Sequence, residues 1–344
     1  MRICLRFHMC RIFESNWAEK ILSSIKKHGE VIAVVSGTMG AIAMMDVGLD
    51  KSVRILKERF VEWINRENFN VIVNATYTTS LDRMLADCWH LSRKINLPII
   101  GIDANSKTIA YWRDIRELAE CISNDLNFKL IKGVDFGETF WMDGEKEYRR
   151  ILAVEPEDWI LVNGIVVGKA TERDVIFVCK NGEILEIKGA SIKYHGLKRL
   201  GRIDIKNAKI DTVRLLRDKV ENRASLSYLP KNIVAFIDHI GYDILRFLEE
   251  GICCAVVIGD DTTTIVGDIL ERFNIPIIGI VDNDRDGLIN GAKFSPNSII
   301  LKVENDDEFG AMVFKRVFNE KQIIKGDFES IKNKILKLYR EIIN

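Results

Sequence analysis

AVVIGDDTTTIVGDILERFNIPIIGIVDNDRDGLING, residues 255–291, contains the pattern from which the fold is read. Ala255, Val256, Val257 and Ile258 form an uninterrupted apolar run, the mark of a strand covered on both faces. Gly259, Asp260, Asp261 and three threonines then supply turn and helix-cap residues, and apolar residues recur at helical spacing over 265–273. Asn274-Ile275-Pro276 ends the helix, and a second apolar run follows through Val281. Strand, helix, strand at this spacing predicts a βαβ unit with a right-handed crossover. Asp282, Asp284 and Asp286 come next, two residues apart, before Gly287.

An earlier stretch has the same plan. Val71-Ile72-Val73-Asn74, then Thr76, Thr78 and Thr79, a helix over Leu81–Lys94, and Asn96-Leu97-Pro98-Ile99-Ile100-Gly101-Ile102 parallel the later run element for element. The copies differ in charge. Asn74-Ala75-Thr76 stands where the later copy has Gly259-Asp260-Asp261, and only Asp103 and Asn105 answer the later aspartate series. The fold therefore does not require the acids of the second copy.

Further outward, Arg2–Phe7 reads as a first strand with His8 just past its end, and 16–27 as an amphipathic helix stopped by Gly29. Residues 31–35 form a β-branched strand feeding Ser36-Gly37-Thr38-Met39-Gly40. Strand, glycine turn and helix is a layout in which backbone N–H groups can hold an anion, although GTMG lacks the full GxGxxG and the Walker lysine. The two glycines equally suit a tight turn and close helix packing. A helix is expected over 53–65.

Two Asn-Gly pairs change the pattern. Asn163-Gly164 lies between Trp159–Val162 and 165–167, and Asn181-Gly182 between 175–179 and 184–187, the strongest short-range hairpin signal. Strands at 191–194 and 202–205 and a helix at 211–223 should follow, after which βα alternation resumes near 233. The C-terminal helix, over 331–343, is amphipathic and lysine-rich, which suits docking on the body or a partner. The expected fold is thus α/β. Rossmann-like parallel-sheet units occupy 1–125 and 213–344, and a small antiparallel, barrel-like β unit is inserted over 126–212.

Composition narrows the function classes. The 344 residues are 47% hydrophobic and 29% charged, ordinary for a globular protein. Fifty basic residues balance fifty acidic ones, which disfavours bulk non-specific nucleic-acid binding. The apolar stretch 31–45 is broken by glycine and too short to span a membrane, and 1–10 is too short and polar for a signal peptide, so a cytoplasmic location is expected. Seven cysteines show no CxxC, and Cys253-Cys254 reads as apolar filling.

In a parallel sheet, both strand ends of a βαβ unit point the same way and ligands bind outside them. Asp260, Asp261, Asp282, Asp284 and Asp286 are therefore the candidate metal ligands, and hard oxygens select Mg²⁺ or Mn²⁺, with Ca²⁺ also accommodated. Gly37, Thr38, Gly40, Thr262 and Thr263 are candidate phosphate contacts. Ordinary capping and turn formation account for the same residues equally well. His8 and His239, each after a strand, are further candidates, with Asp238 able to orient His239.

Three resemblances bear on these residues. Asp282 to Gly287 resembles the start of an EF-hand loop, but Lys293 stands where the closing Glu belongs, and a strand precedes it. The strand-end Asp282-x-Asp284 resembles a TOPRIM-type nuclease or primase site, with Asp260 or Asp261 replacing that family's Glu. Ser36-Gly37-Thr38-Met39-Gly40, Asp46-x-Gly48-Leu49 and Gly259-Asp260-Asp261-Thr262-Thr263 with Pro276–Gly279 resemble, over nearly the whole chain, an uncharacterised archaeal family found chiefly in methanogens. This chain has His8-Met9-Cys10 where that pattern has His-Gly-Pro. That resemblance implies fold and origin and brings no activity with it. The leading expectation is a divalent-cation-dependent protein that binds or acts on a small phosphorylated molecule or nucleotide, with phosphoryl or phosphodiester chemistry if it is an enzyme. The alternative is a non-catalytic ligand-binding or regulatory protein, and self-association is compatible with either.

Overall fold

The computed structural model describes residues 1–213, 228–238, 244–282 and 293–343. Contacts divide the chain into two units, Met1–Arg214 and Leu215–Asn344. Parallel-sheet α/β units together with antiparallel sheets are what the sequence led us to expect.

The first unit begins β1 (Arg2–Phe7), α1 (Arg11–Glu14), α2 (Trp17–Ile25), β2 (Glu30–Ser36), α3 (Thr38–Asp46), β3 (Arg54–Leu56) and α4 (Phe60–Ile64). It continues with β4 (Val71–Thr76), α5 (Leu81–Lys94), β5 (Ile99–Asp103), β6 (Thr108–Trp112), α6 (Arg116–Leu126) and β7 (Lys129–Lys132). The sheet order is β3-β2-β1-β4-β5-β6-β7, parallel from β3 through β5. Every residue of β4 is buried, as its apolar run requires at the centre of a two-sided sheet. On one face Phe60, Trp63, Met84, Leu85, Cys88 and Leu91 of α4 and α5 pack on Cys4, Val34, Ile72 and Ile99. Each such large side chain contributes roughly 1.5–3 kcal/mol by leaving water.

Two features depart from the expected βα repetition. The single helix over 53–65 is instead β3 followed by the short α4. Ile55 and Leu56 pair with Val35 and Ser36 at the sheet edge, and this ladder outcompetes the helical pattern. β6 then runs antiparallel to β5, and β7 parallel to β6, so the chain leaves this sheet at the edge opposite the C-terminal ends of β1 and β4. From there it returns along α5. Trp89 Nε1 donates to Asp135 (2.8 Å), and Arg83 Nη1 to Asp158 (2.7 Å).

The antiparallel part comprises β8 (Phe140–Asp143), β9 (Lys146–Ile151), β10 (Trp159–Val162), β11 (Ile165–Ala170), β12 (Val175–Lys180), β13 (Glu183–Lys188), β14 (Ala190–Ile192), α7 (Tyr194–Leu200) and β15 (Ile210–Val213). These strands form two four-stranded sheets, β14-β11-β10-β15 and β13-β12-β9-β8, around a shared core including Ile160, Val167, Phe177 and Ile187. Both Asn-Gly turns have positive φ at both residues, 50° and 87° at Asn163-Gly164 and 52° and 79° at Asn181-Gly182, as two-residue hairpins need. Gly196 lets α7 lie on β11, since a Cβ there would sit 1.9 Å from the Val166 carbonyl oxygen. The strand expected at 202–205 is a turn held by Asp204, which accepts from the amides of Lys206 and Asn207. The helix expected from 211 begins instead as β15, paired with β10; residues 214–223 of that expectation lie outside the described residues.

The second unit runs β16 (Ile233–Asp238), α8 (Ile244–Glu250), β17 (Cys254–Ile258), α9 (Asp260–Glu271), β18 (Ile277–Val281), β19 (Ile299–Lys302), α10 (Asp306–Arg316), β20 (Ile323–Lys325) and α11 (Phe328–Ile343). Its sheet order is β19-β18-β17-β16-β20, parallel except for β20. Phe309, Val313, Phe318, Ile331 and Ile335 of the segment from α10 to α11 bury one face, so the C-terminal helix docks on its own unit. Among the described residues, which include all seven cysteines, no disulfide forms. Among the described residues no helix is long and apolar enough to cross a membrane.

Candidate functional site

Three neighbouring parallel strands of the second unit deliver one carboxylate each to the same edge. β17 ends at Ile258, and Gly259, with a φ of +95°, turns the chain directly into α9 with Asp260 as its first residue. β18 ends at Val281 and Asp282 follows. β19 leads to Asn305, whose side chain accepts from the Glu308 amide and so starts α10 at Asp306. One oxygen each of Asp260, Asp282 and Asp306 lies within 4.8 Å of the others. Asp260 and Asp306 are half-buried and Asp282 is exposed. Three like charges this close repel unless a cation or protons intervene, and the donor set is all hard oxygen.

Asp306 was not among the sequence candidates. Asn305-Asp306-Asp307-Glu308 reads as an ordinary capped helix start, and only the adjacency of β18 and β19 brings it to Asp282. The structure brings Asp260 and Asp282 together and leaves Asp261, the next residue of α9, outside the group of three. Asp284, Asp286 and His239 lie outside the described residues. Thr262 and Thr263 are buried, and Thr263 Cγ2 packs where a Cβ at Gly279 would be, 2.6 Å away. Thr263 therefore belongs to the contact of α9 with the sheet. In the first copy of the repeat, Asp103 is fully buried and accepts from the Thr78 amide and hydroxyl and from the Ser106 amide, so its carboxylate is occupied by its own turn.

In the first unit, Gly37 is exposed at the start of α3 with φ +86° and open space around it, whereas Thr38 is buried. Gly40 is there for packing, because a Cβ would lie 2.9 Å from Val35 Cγ2. A second polar group stands near the C-terminal ends of β1 and β4. Arg6 Nη1 donates to Asn74 Oδ1 (2.9 Å) and Asp87 Oδ2 (3.0 Å), and Arg6 Nη2 lies 2.9 Å from His8 Nδ1. Asn74 Nδ2 also donates to Asp87 Oδ2 (2.9 Å). Burial and the Arg6 guanidinium hold the His8 imidazole down at about 4. Asp87 is held down at about 2: burial opposes this, but His8, Arg6 and the Asn74 hydrogen bond outweigh it. Arg6 and Asp87 escape sequence reading because they are 81 residues apart and each alone fits a solvated face.

Residues 5–321 match the family model described as an uncharacterised protein conserved in archaea, DUF2117. The chain is 31% identical over 356 aligned residues to the uncharacterised protein MJ0065 of Methanocaldococcus jannaschii, covering 99% of this chain and 97% of that one. No solved structure matches the chain. On the family match and on this relative, the chain belongs to the DUF2117 family of proteins conserved in archaea.

Proposed function

We propose that the second unit binds a divalent cation, Mg²⁺ or Mn²⁺, through Asp260, Asp282 and Asp306, and that the cation receives the phosphate of a small phosphorylated molecule or nucleotide. The observation that carries this reading is the convergence of three carboxylates, from three strand ends, within 4.8 Å of one another. Oxygen ligands of one Mg²⁺ stand roughly 3–4 Å apart, so small side-chain movements close the set on an ion. Three protein ligands leave coordination positions for water and phosphate, the usual Mg²⁺ arrangement. The first turns of α9 and α10 already carry Asp260, Asp261, Asp306, Asp307 and Glu308, which oppose a bare phosphate at those helix ends. Phosphate is therefore recruited through the cation. Whether the ligand is also turned over decides between an enzyme and a binding protein.

The test is thermal unfolding with Mg²⁺, Mn²⁺ and Ca²⁺, with and without nucleotides. A cation at about 100 times its Kd adds about 2.7 kcal/mol to the unit that binds it, a rise in Tm of roughly 5–10 °C. Asp282→Asn removes one ligand and one unit of repulsion without touching a helix cap. That variant should be as stable as the wild type, or more so, in EDTA, and should lose the cation response. Asp306→Asn should lose it too. A response that survives in both variants refutes the assignment.

A further inference from the structure

Arg6 and His8 are two residues apart along β1, so their side chains leave the same face of the sheet, and the His8 amide continues the strand pairing by donating to the Ala75 carbonyl. The sheet order puts β1 beside β4, with β2 and β3 on one side and β5 on the other. Crossovers therefore leave these two strands in opposite directions, the arrangement at which open α/β sheets bind ligands.

The chemistry of the cluster fixes the state of His8. A guanidinium has no acceptor, so the 2.9 Å contact of Arg6 Nη2 requires His8 Nδ1 to carry its lone pair. The imidazole is then neutral, with its proton on Nε2. That nitrogen is 3.8 Å from Asp87 Oδ1, too far for a hydrogen bond. Among the described residues Nε2 makes no hydrogen bond, and a third of the side chain is exposed. Arg6, Asn74 and Asp87 bond to one another, with Arg6 Nε buried and outside those bonds, so the network leaves an oriented His8 donor at the strand edge. The charged groups acting on that imidazole are the Arg6 and Arg83 guanidiniums and the Asp87 carboxylate. Stability alone gives no reason for the arrangement, since apolar side chains of equal volume commonly serve as well as a buried ion pair.

We propose that the edge formed by β1 and β4 is a second ligand site, in which His8 donates its Nε2–H to an oxyanion, the carboxylate or phosphate group of a small molecule. Arg6 is the positioning residue that holds the tautomer, and Asp87 with Asn74 holds Arg6. The site belongs to the first unit and does not depend on the acidic group of the second.

The experiment is long-range ¹H–¹⁵N NMR of the histidine rings in the full chain, kept in EDTA. Inorganic phosphate and acetate are titrated separately to tens of millimolar, so that the two arms separate phosphate from carboxylate recognition. His8 should show the Nε2–H pattern, and its signals should move saturably with one anion. His8→Phe should weaken that anion's binding by about tenfold, the effect of losing one hydrogen bond to a charged acceptor, while the unfolding midpoint stays within a few degrees. His8→Gln, which keeps an N–H donor, should restore part of the affinity and covers the case in which His8→Phe folds poorly. An Nδ1–H pattern, or His8 signals unmoved by both anions, overturns the proposal.

Discussion

Replacing Arg83 by Met should lower the stability of the first unit by about 3–5 kcal/mol, the usual cost of stranding one partner of a buried ion pair. Asp158 is fully buried, and its Oδ2 accepts from Arg83 Nη1 at 2.7 Å and from the Glu155 amide at 3.2 Å. Arg83 Nη2 also reaches the Thr212 carbonyl at 3.4 Å. With Arg83 gone, the buried Asp158 carboxylate loses the guanidinium that faces it at 2.7 Å. Arg83→Met with Asp158→Leu should recover most of the loss. Urea unfolding of the wild type and of both variants measures this. A single-variant cost under about 1 kcal/mol would show that the pair does not hold α5 to the strands beyond it.

Arg6→Met should cost about 3 kcal/mol and also weaken the pH response of the wild type. His8 has a folded value of about 4, below its ordinary 6.5. Between these values the unfolded chain binds more protons, so wild-type stability falls as pH drops from about 6.5 to about 4. One third of the ring is exposed, which limits the loss to about 1–2 kcal/mol. Asp87, held at about 2 against an ordinary 3.8, adds a second loss between those two values. Without the Arg6 guanidinium, His8 keeps its burial, the Asp87 carboxylate and the Arg83 guanidinium, and its folded value rises part of the way. The variant then loses less on acidification than the wild type, and its deficit should narrow from pH 7 to pH 5. A histidine titration followed by NMR, beside unfolding at both pH values, checks this. A His8 value still near 4 in the variant would mean that burial alone sets it.

The alternation of apolar runs and helical stripes was enough to read the parallel strands, because strands buried on both faces leave no polar gaps in sequence. The Asn-Gly hairpins were legible for a different reason, since few residue pairs tolerate two successive positive φ values. Residues 53–65 misled because Ile55 and Leu56 fit a helical stripe and a strand equally well, and their partner, β2, lies some way back in sequence. The reversal at β6 carries no local mark. Of the candidate site, Asp260 and Asp282 were legible as acids at strand ends. Asp306 was hidden by its resemblance to a helix cap, and the Arg6, Asn74 and Asp87 network by distance along the chain. A sequence shows which residue ends a strand; which strand ends are neighbours is decided by the sheet order.

That β6 reversal has a further consequence for α5. The chain leaves the sheet at the far edge and climbs back past the helix, so Met84, Leu85, Cys88 and Leu91 face the sheet core while Arg83 and Trp89 are held by Asp158 and Asp135. Fraying cannot release one side of such a helix without breaking contacts on the other. Its amide hydrogens should therefore trade with deuterium only when the whole first unit opens, which makes the slowest-exchanging protons of 84–91 a clock for global unfolding of that unit.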